Sequence, residues 1–439
     1  MKHIIIILFI FGFLGSFAQE TVYPAPKQSQ PIAIVGATVH TGTGQVLENA
    51  TVLMVDGKIT EVGTNVTIPA NAQRIEAKGK HVYPGLILAS SNLGLVEIGA
   101  VRATNDVREI GEMNPNIRSV VAYNTDSKII NTLRSNGILM ANIVPEGGLL
   151  SGSSSVVQLD AWNWEDAAVK TDQGIHFRMP NFLARPRFGF GFGNNSGPNP
   201  GQQPDPVKEG LEKVEEVKSF LQEAKAYNSL KEHDQTNLKY EAVKGLFDKS
   251  QKFYVHANTV KQMLVALDFV KEFGFDVVIV GGSDSWQIAD LLKQNNVSVI
   301  LGQPHSLPTL PDDDVDQPYK TPAMLAKAGV NFVINDDDGQ TRGRNLMFNA
   351  GTAVAYGLTK EQALQAITLN AAKALGVEKQ TGSIEVGKDA NIIISDGDIL
   401  DMRTSQVTHA FIQGRNVNLD DKQKQLNNRY LHKYNLRQF

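Results

Sequence analysis

Val82-Tyr83-Pro84-Gly85-Leu86-Ile87-Leu88-Ala89-Ser90-Ser91-Asn92-Leu93-Gly94-Leu95 is the stretch whose reading decides the fold. Val82 to Leu88 is short, apolar and rich in β-formers, with Pro84 and Gly85 near its start. An unbroken apolar run of that length suits a parallel-barrel strand buried on both faces. It passes directly into the small polar residues Ser90, Ser91 and Asn92. In a parallel barrel the chemistry sits on loops after the C-terminal ends of strands. Ligand-bearing residues are therefore expected at this point.

Outward from this stretch, strand and helix patterns alternate, as in parallel βα units. Further strands are read at Gly137 to Val144, Ser155 to Leu159, Phe253 to His256, Asp276 to Val280, Val297 to Leu301 and Asn331 to Ile334. Helical patterns fall at Thr259 to Phe273, Trp286 to Asn295, Pro322 to Ala328, Asn345 to Tyr356 and Lys360 to Leu375, with Gly274, Gly329 and Gly376 as left-handed caps. The strand readings amount to seven, and the eighth that a barrel needs is expected within 160–185. At the two ends of the chain the texture is different. Ile32 to Gly79 alternates apolar and polar residues, with Asp56-Gly57 as a hairpin signal, and Asn391 to Ile394 and His409 to Ile412 are strand-like. The predicted fold class is α/β: a TIM-like (β/α)8 barrel at 81–381 plus a small composite β-sandwich made by both chain ends, 31–80 with 382–419. Residues 420–439 read as a polar C-terminal tail, and 19–30 as a linker.

The 439 residues are enough for a large core, with 42% hydrophobic and 20% charged residues. A net charge of −4 argues against a nucleic-acid binder, which usually carries a basic surface. Residues 1 to 18 read as a signal peptide: Lys2 and His3, the apolar run Ile4 to Leu14, then Ser16-Phe17-Ala18. That run is too short to span a membrane comfortably, so after cleavage no membrane association is expected. The chain has no cysteine, which removes disulfides and thiolate ligands, and export without disulfides suits a bacterial periplasm. Arg185 to Pro206, rich in Gly, Pro, Asn and Phe, reads as a surface insertion, because its glycines come after no strand and open no helix. Pro206 to Ala226 reads as an amphipathic helix.

Several of these segments together resemble the amidohydrolases, metal-dependent hydrolases related to imidazolonepropionase, dihydroorotase and urease. Val82-Tyr83-Pro84-Gly85-Leu86-Ile87 resembles their first barrel strand, and Phe253-Tyr254-Val255-His256-Ala257-Asn258 their fifth. Gly329 to Asp337 resembles the eighth, which ends in the catalytic aspartate. Arg344-Asn345-Leu346, Glu361 to Ala372 and Gly382 to Ala390 resemble the family's segments C-terminal to that strand.

The resemblance implies hydrolysis of an amide or cyclic-amide C–N bond in a small substrate, with one divalent metal, usually zinc. It makes Asp337 the catalytic residue and His256 and Asp337 metal ligands, with Asn258 and Arg344 offered to the substrate. Glu146, on the glycine turn after the second strand, reads as a further substrate contact, with a replacement ligand or a residue facing water as its rivals. The set is incomplete. The His-x-His of the first strand falls on Ser90 and Asn92, neither a good zinc ligand, and the sixth-strand histidine falls near Gly281 or Gly282. Two readings stay open: a C–N hydrolase, or a non-catalytic barrel that binds a small ligand without metal or supports an active relative. By resemblance, a homodimer or a complex with a related amidohydrolase is the expected assembly. Asp336-Asp337-Asp338-Gly339 also reads as a solvated turn, and Asp312-Asp313-Asp314-Val315-Asp316 as an acidic loop, with a displaced metal site near His305 as its rival.

Overall fold

The computed structural model describes residues 23–183, 205–230, 232–308, 312–338 and 342–436. The signal-peptide reading and nearly all of the 185–206 insertion lie outside the described residues.

One eight-stranded sheet forms the barrel wall, in the order Leu86–Ser91, Ile138–Ile143, Leu150–Gln158, Ala168–Arg178, Lys252–Ala257, Val277–Gly281, Ser298–Leu301 and Phe332–Ile334. The strand expected within 160–185 is Ala168–Arg178, fourth in this order. Neighbours pair in parallel except at the third strand, which runs antiparallel to both the second and the fourth. That strand starts at Leu150, well before the expected Ser155, because Leu150 to Ser154 is buried against the fourth strand despite its serines.

The inward side chains Ile87, Ala89, Met140, Val156, Tyr254, Val278, Ile300 and Val333 form one cluster. The helix Leu369–Leu375 closes it from below through Ala371, Ala372 and Leu375. Strand residues of the other parity, such as Leu86, Leu88, Phe253, Val255 and Ile279, pack outward in the larger core under the helices. Polar side chains deep in the barrel satisfy one another. Gln173 Nε2 donates to Asn142 Oδ1 at 3.0 Å and to Ser154 Oγ at 2.9 Å, and the Tyr254 hydroxyl donates to Gln173 Oε1 at 2.6 Å. Buried polar groups are tolerable only when partnered in this way.

The first and last strands share no backbone ladder among the described residues, and the Asn335 side chain spans that seam. Ser90 N–H donates to Asn335 Oδ1 at 3.1 Å, and Asn335 Nδ2 donates to the Ser90 carbonyl at 2.9 Å. A primary amide offers the same donor and acceptor as a peptide group, so it substitutes for one rung.

The opening stretch is two strands rather than one. His81–Pro84 belongs to the second sheet, parallel to Ile32–His40 and antiparallel to Ile392–Ser395. The chain changes sheets at Gly85, whose N–H bonds Asn391 O while Leu86 N–H bonds Gly137 O. Pro84 has no N–H to continue a ladder, which makes this the natural break. The second sheet also has eight strands and is built from both ends of the chain, as the sequence implies. Its hairpin at Asp56-Gly57 pairs Val55 with Lys58 and curls back so that Ile59 N–H reaches Lys388 O.

The two bodies are pinned together on Asp160, which is buried below the barrel. Its carboxylate accepts from Arg134 Nη1 at 2.8 Å, Arg415 Nη1 at 2.6 Å and Ala25 N–H at 2.9 Å. The polar tail contains a helix, Lys422–Lys433, N-capped by Asp421.

Candidate functional site at the barrel mouth

A cavity of about 430 Å³ opens at the C-terminal ends of the parallel strands. Its lining includes Ser90, Asn92, Glu146, Arg178, His256 and Asn258, with Gly281, Gly302, Asn335 and Asp337 on the far side. The expected residues His256, Asn258, Glu146 and Asp337 are therefore brought together. Arg344 is not; it is exposed, in a short helical turn outside this lining.

His256 projects inward near the end of the fifth strand. Its Nε2 lies 2.9 Å from Nδ1 of His176, a residue with no metal-like spacing in the sequence. Parallel pairing of Lys252–Ala257 with Ala168–Arg178 brings together two rings 80 positions apart. His176 is wholly buried and stacks on Tyr254 with ring centroids 4.7 Å apart. Burial holds both imidazoles well below the usual histidine pKa; the nearby Arg178 guanidinium adds to it at both, and His256 adds to it at His176. Both rings are thus neutral, and one proton is shared between them. His176 Nε2 is buried with no partner. An orphaned N–H costs more than an orphaned lone pair, so His176 carries its proton on Nδ1 and donates it to His256 Nε2. His256 then presents Nδ1–H to the cavity, and its Nε2 lone pair is already engaged.

Arg178 registers beside His256 and lines the same cavity. Its Nε donates to Ser151 Oγ at 3.2 Å and its Nη2 to Pro145 O at 3.1 Å. Burial pushes its pKa down, and Glu146 pulls it back up. Glu146 stands on the turn that includes Gly147 and Gly148, both at positive φ, and accepts from Asn92 Nδ2 at 3.4 Å. Asn92 Oδ1 is buried and unpartnered.

Beyond the eighth strand the three aspartates diverge. Asp336 is buried, held by Asn349 Nδ2 at 3.2 Å and the Asp338 N–H at 3.1 Å, and burial raises its pKa. Asp337 has a side chain 74% exposed, at the cavity rim and 3.6 Å from Arg342. Neither the sixth strand nor the acidic loop completes a ligand set. At Gly281 φ is +103°, and a Cβ there would stand 2.3 Å from Asn258 Oδ1, so the space of a sixth-strand side chain is already filled. In the acidic loop Asp314 and Asp316 pair with Lys320 at 3.1 and 2.7 Å, while His305 meets Thr352 at 3.2 Å.

A catalytic zinc needs about three protein ligands with one position left open. Among the described residues no three His, Cys, Asp or Glu side chains converge in that way. The one histidine at the mouth has its inner nitrogen engaged by another ring, and a guanidinium shares its space. The residues present do not fit the zinc that the resemblance implies. The sequence reading missed His176 and Arg178. The alternation His176-x-Arg178 at a strand end was the available signal, but only strand pairing shows what it faces.

The family model of the amidohydrolases matches residues 208–421. An amidohydrolase from Thermotoga maritima has a similar structure, with a TM-score of 0.73, 27% identity, and coverage of 88% of this chain and 99% of that one. An imidazolonepropionase of Thermoplasma volcanium is 38% identical over 86 residues. That match spans 19% of this chain and about a fifth (21%) of the imidazolonepropionase. Phenylurea hydrolase B, at 16% identity and a TM-score of 0.55, shares the fold. No described helix is long and apolar enough to cross a membrane.

Proposed function

Because this chain belongs to the amidohydrolase superfamily, we propose that its barrel mouth receives a small molecule built around an amide-type carbon–nitrogen bond, and that it does so as a metal-independent binding barrel. The observation that carries this reading is the lining of the cavity, which is of ligand size and in which no three described His, Cys, Asp or Glu side chains converge on a cation. Ser90, Asn92 and Gly281 or Gly282 fall where the resemblance expects histidines, and Arg178 stands beside His256. The second reading is hydrolysis of that C–N bond, favoured by Asp337 at the rim after the eighth strand. In it Asp337 accepts a proton from the attacking water and returns it to the leaving nitrogen. Export with residues 1–18 as leader, and assembly as a homodimer or with a relative that keeps its histidines, belong to the same proposal.

The test is calorimetric titration of the purified protein with hydantoins, dipeptides and N-acyl amino acids. Product formation is monitored in parallel, with and without added Zn²⁺ or Mn²⁺. Binding that is indifferent to metal and chelator supports the binding barrel. Stoichiometric bound zinc, with turnover lost on chelation, would overturn it. Metal-free turnover lost in Asp337→Asn moves the assignment to the second reading.

A further inference from the structure

Arg178 is a half-buried cation without a counter-ion among the described residues. Its guanidinium is fixed along one edge by Ser151 Oγ and the Pro145 carbonyl, both neutral acceptors. Nη1 makes no hydrogen bond and the group no ion pair with any described residue, and Glu146 attracts it only from beyond ion-pair distance. A charge drawn out of water is costly unless something of opposite sign meets it. Elsewhere this chain meets that requirement: Arg134 and Arg415, with side chains 4% and 11% exposed, share Asp160. At the mouth no described residue stands within ion-pair distance of Arg178, and a ligand would supply the missing charge.

Three neighbouring groups define what would fit. The open edge of Arg178 presents fixed N–H donors in the fork geometry that matches a carboxylate. His256 adds Nδ1–H on the adjacent strand. Asn92 Oδ1 is a buried acceptor with no partner, so it requires an N–H donor from the ligand. Glu146 and Asp337 border the same cavity and disfavour a second negative charge there.

We propose that Arg178 makes the barrel mouth a site for a monoanionic carboxylate that also carries an amide N–H, of the N-acyl amino acid class. The carboxylate sits on Arg178 and His256, and the amide N–H points to Asn92 Oδ1. The guanidinium thereby supplies, as a fixed part of the chain, positive charge at the mouth. This inference rests on the reading of the mouth as the ligand site.

The experiment titrates a panel of N-acetyl-L-amino acids, and the carboxamide twin of each, into the full chain and three variants. Arg178→Gln removes the charge, and Arg178→Lys keeps it while losing the fork. Gly302→Phe fills the mouth, since a Cβ at Gly302 meets nothing within 4 Å. The expected result is that acids bind and carboxamides bind about 10- to 100-fold more weakly. Arg178→Gln should weaken the acids by the same factor and the carboxamides much less, so that acids and carboxamides converge, with Arg178→Lys between and Gly302→Phe abolishing both. Equal binding of acids and carboxamides, unaffected at position 178 but lost in Gly302→Phe, overturns the carboxylate assignment and leaves the mouth as the ligand site. Acid binding that survives both Arg178→Gln and Gly302→Phe overturns both. Absence of binding by every acid overturns the proposal. Circular dichroism and the unfolding midpoint of each variant separate a lost site from a lost fold, and Arg178→Lys carries the test if the glutamine variant fails to fold.

Discussion

Replacing Asn335 should open the barrel along one line. The Asn335 amide makes two hydrogen bonds, at 3.1 and 2.9 Å, to the N–H and carbonyl of Ser90, and the side chain is 2% exposed. In Asn335→Ala both Ser90 groups lose their partner in a buried setting. Each orphaned group costs about 1–3 kcal/mol, so the seam should weaken by about 2–6 kcal/mol. A chain with two bodies need not unfold in a single step, so a global midpoint is a blunt measure. Amide hydrogen exchange reads the opening locally. Protection of Ser90 and of the Leu86–Ser91 strand should fall by roughly 30-fold or more, the lower end of that free-energy range. Exchange in the second sheet, for example at Val52 or Ile393, should not change. Asn335→Asp should be no better near neutral pH, because one carboxylate oxygen keeps the Ser90 N–H while the other faces the Ser90 carbonyl. It should recover part of the protection in acid, where a protonated carboxyl can donate again. Unchanged protection at Ser90 in the alanine variant would refute the claim that this side chain closes the barrel.

Acid should destabilise the barrel through the buried histidine pair. Both folded pKa values lie below the unfolded value of about 6.5, so the stability is present above that pH and is lost as pH falls through it. Each ring contributes a slope of about 1.4 kcal/mol per pH unit below it. His176→Phe, which keeps the stack on Tyr254, should reduce the slope of urea stability between pH 7 and 5 by one histidine; an unaltered slope counts against the neutral pair. Gly281→Ala should cost about 1–3 kcal/mol from positive φ and the contact with Asn258. Adding Asn258→Ala should restore only the contact part, and full restoration in a double-mutant cycle would show that φ imposes no strain. Asp160→Asn leaves two buried guanidiniums poorly paired and should lower stability by about 3–5 kcal/mol. A change under about 1 kcal/mol in chemical denaturation would refute that pairing as the clasp between the two bodies.

The features legible in the sequence are those that depend on local order. The Asp56-Gly57 turn takes φ of +49° and +79° as its residue types require, and Gly274, Gly329 and Gly376 cap their helices in the left-handed conformation. The apolar strands at Phe253, Val277, Val297 and Phe332 announce themselves because parallel strands buried on both faces leave no room for polar residues. Leu150–Gln158 and Ala168–Arg178 do not. Their serines, Gln173 and His176 are buried among partners that lie far away in sequence, so their polarity resembles that of a loop. Pro322 marks a helix interior rather than its start, since the helix begins at Gln317. At the site, His256 and Asp337 were legible from the resemblance. Their changed meaning was not, since it depends on His176 and Arg178 across a strand pair and on the Asn258 amide filling the space at Gly281.

The inverted third strand has one more consequence. A hairpin needs no crossover helix, so the wall formed by Leu150–Gln158 and Ala168–Arg178 is braced from outside by irregular chain, with Met113 bridged to Leu150 and Arg118 to Ser153. Ser151, which anchors Arg178, lies between those two bridges. Chain of this kind tolerates insertion and drift far better than a packed helix. On this side of the barrel, ligand preference is free to diverge between descendants of one ancestor while the helical side keeps the scaffold constant.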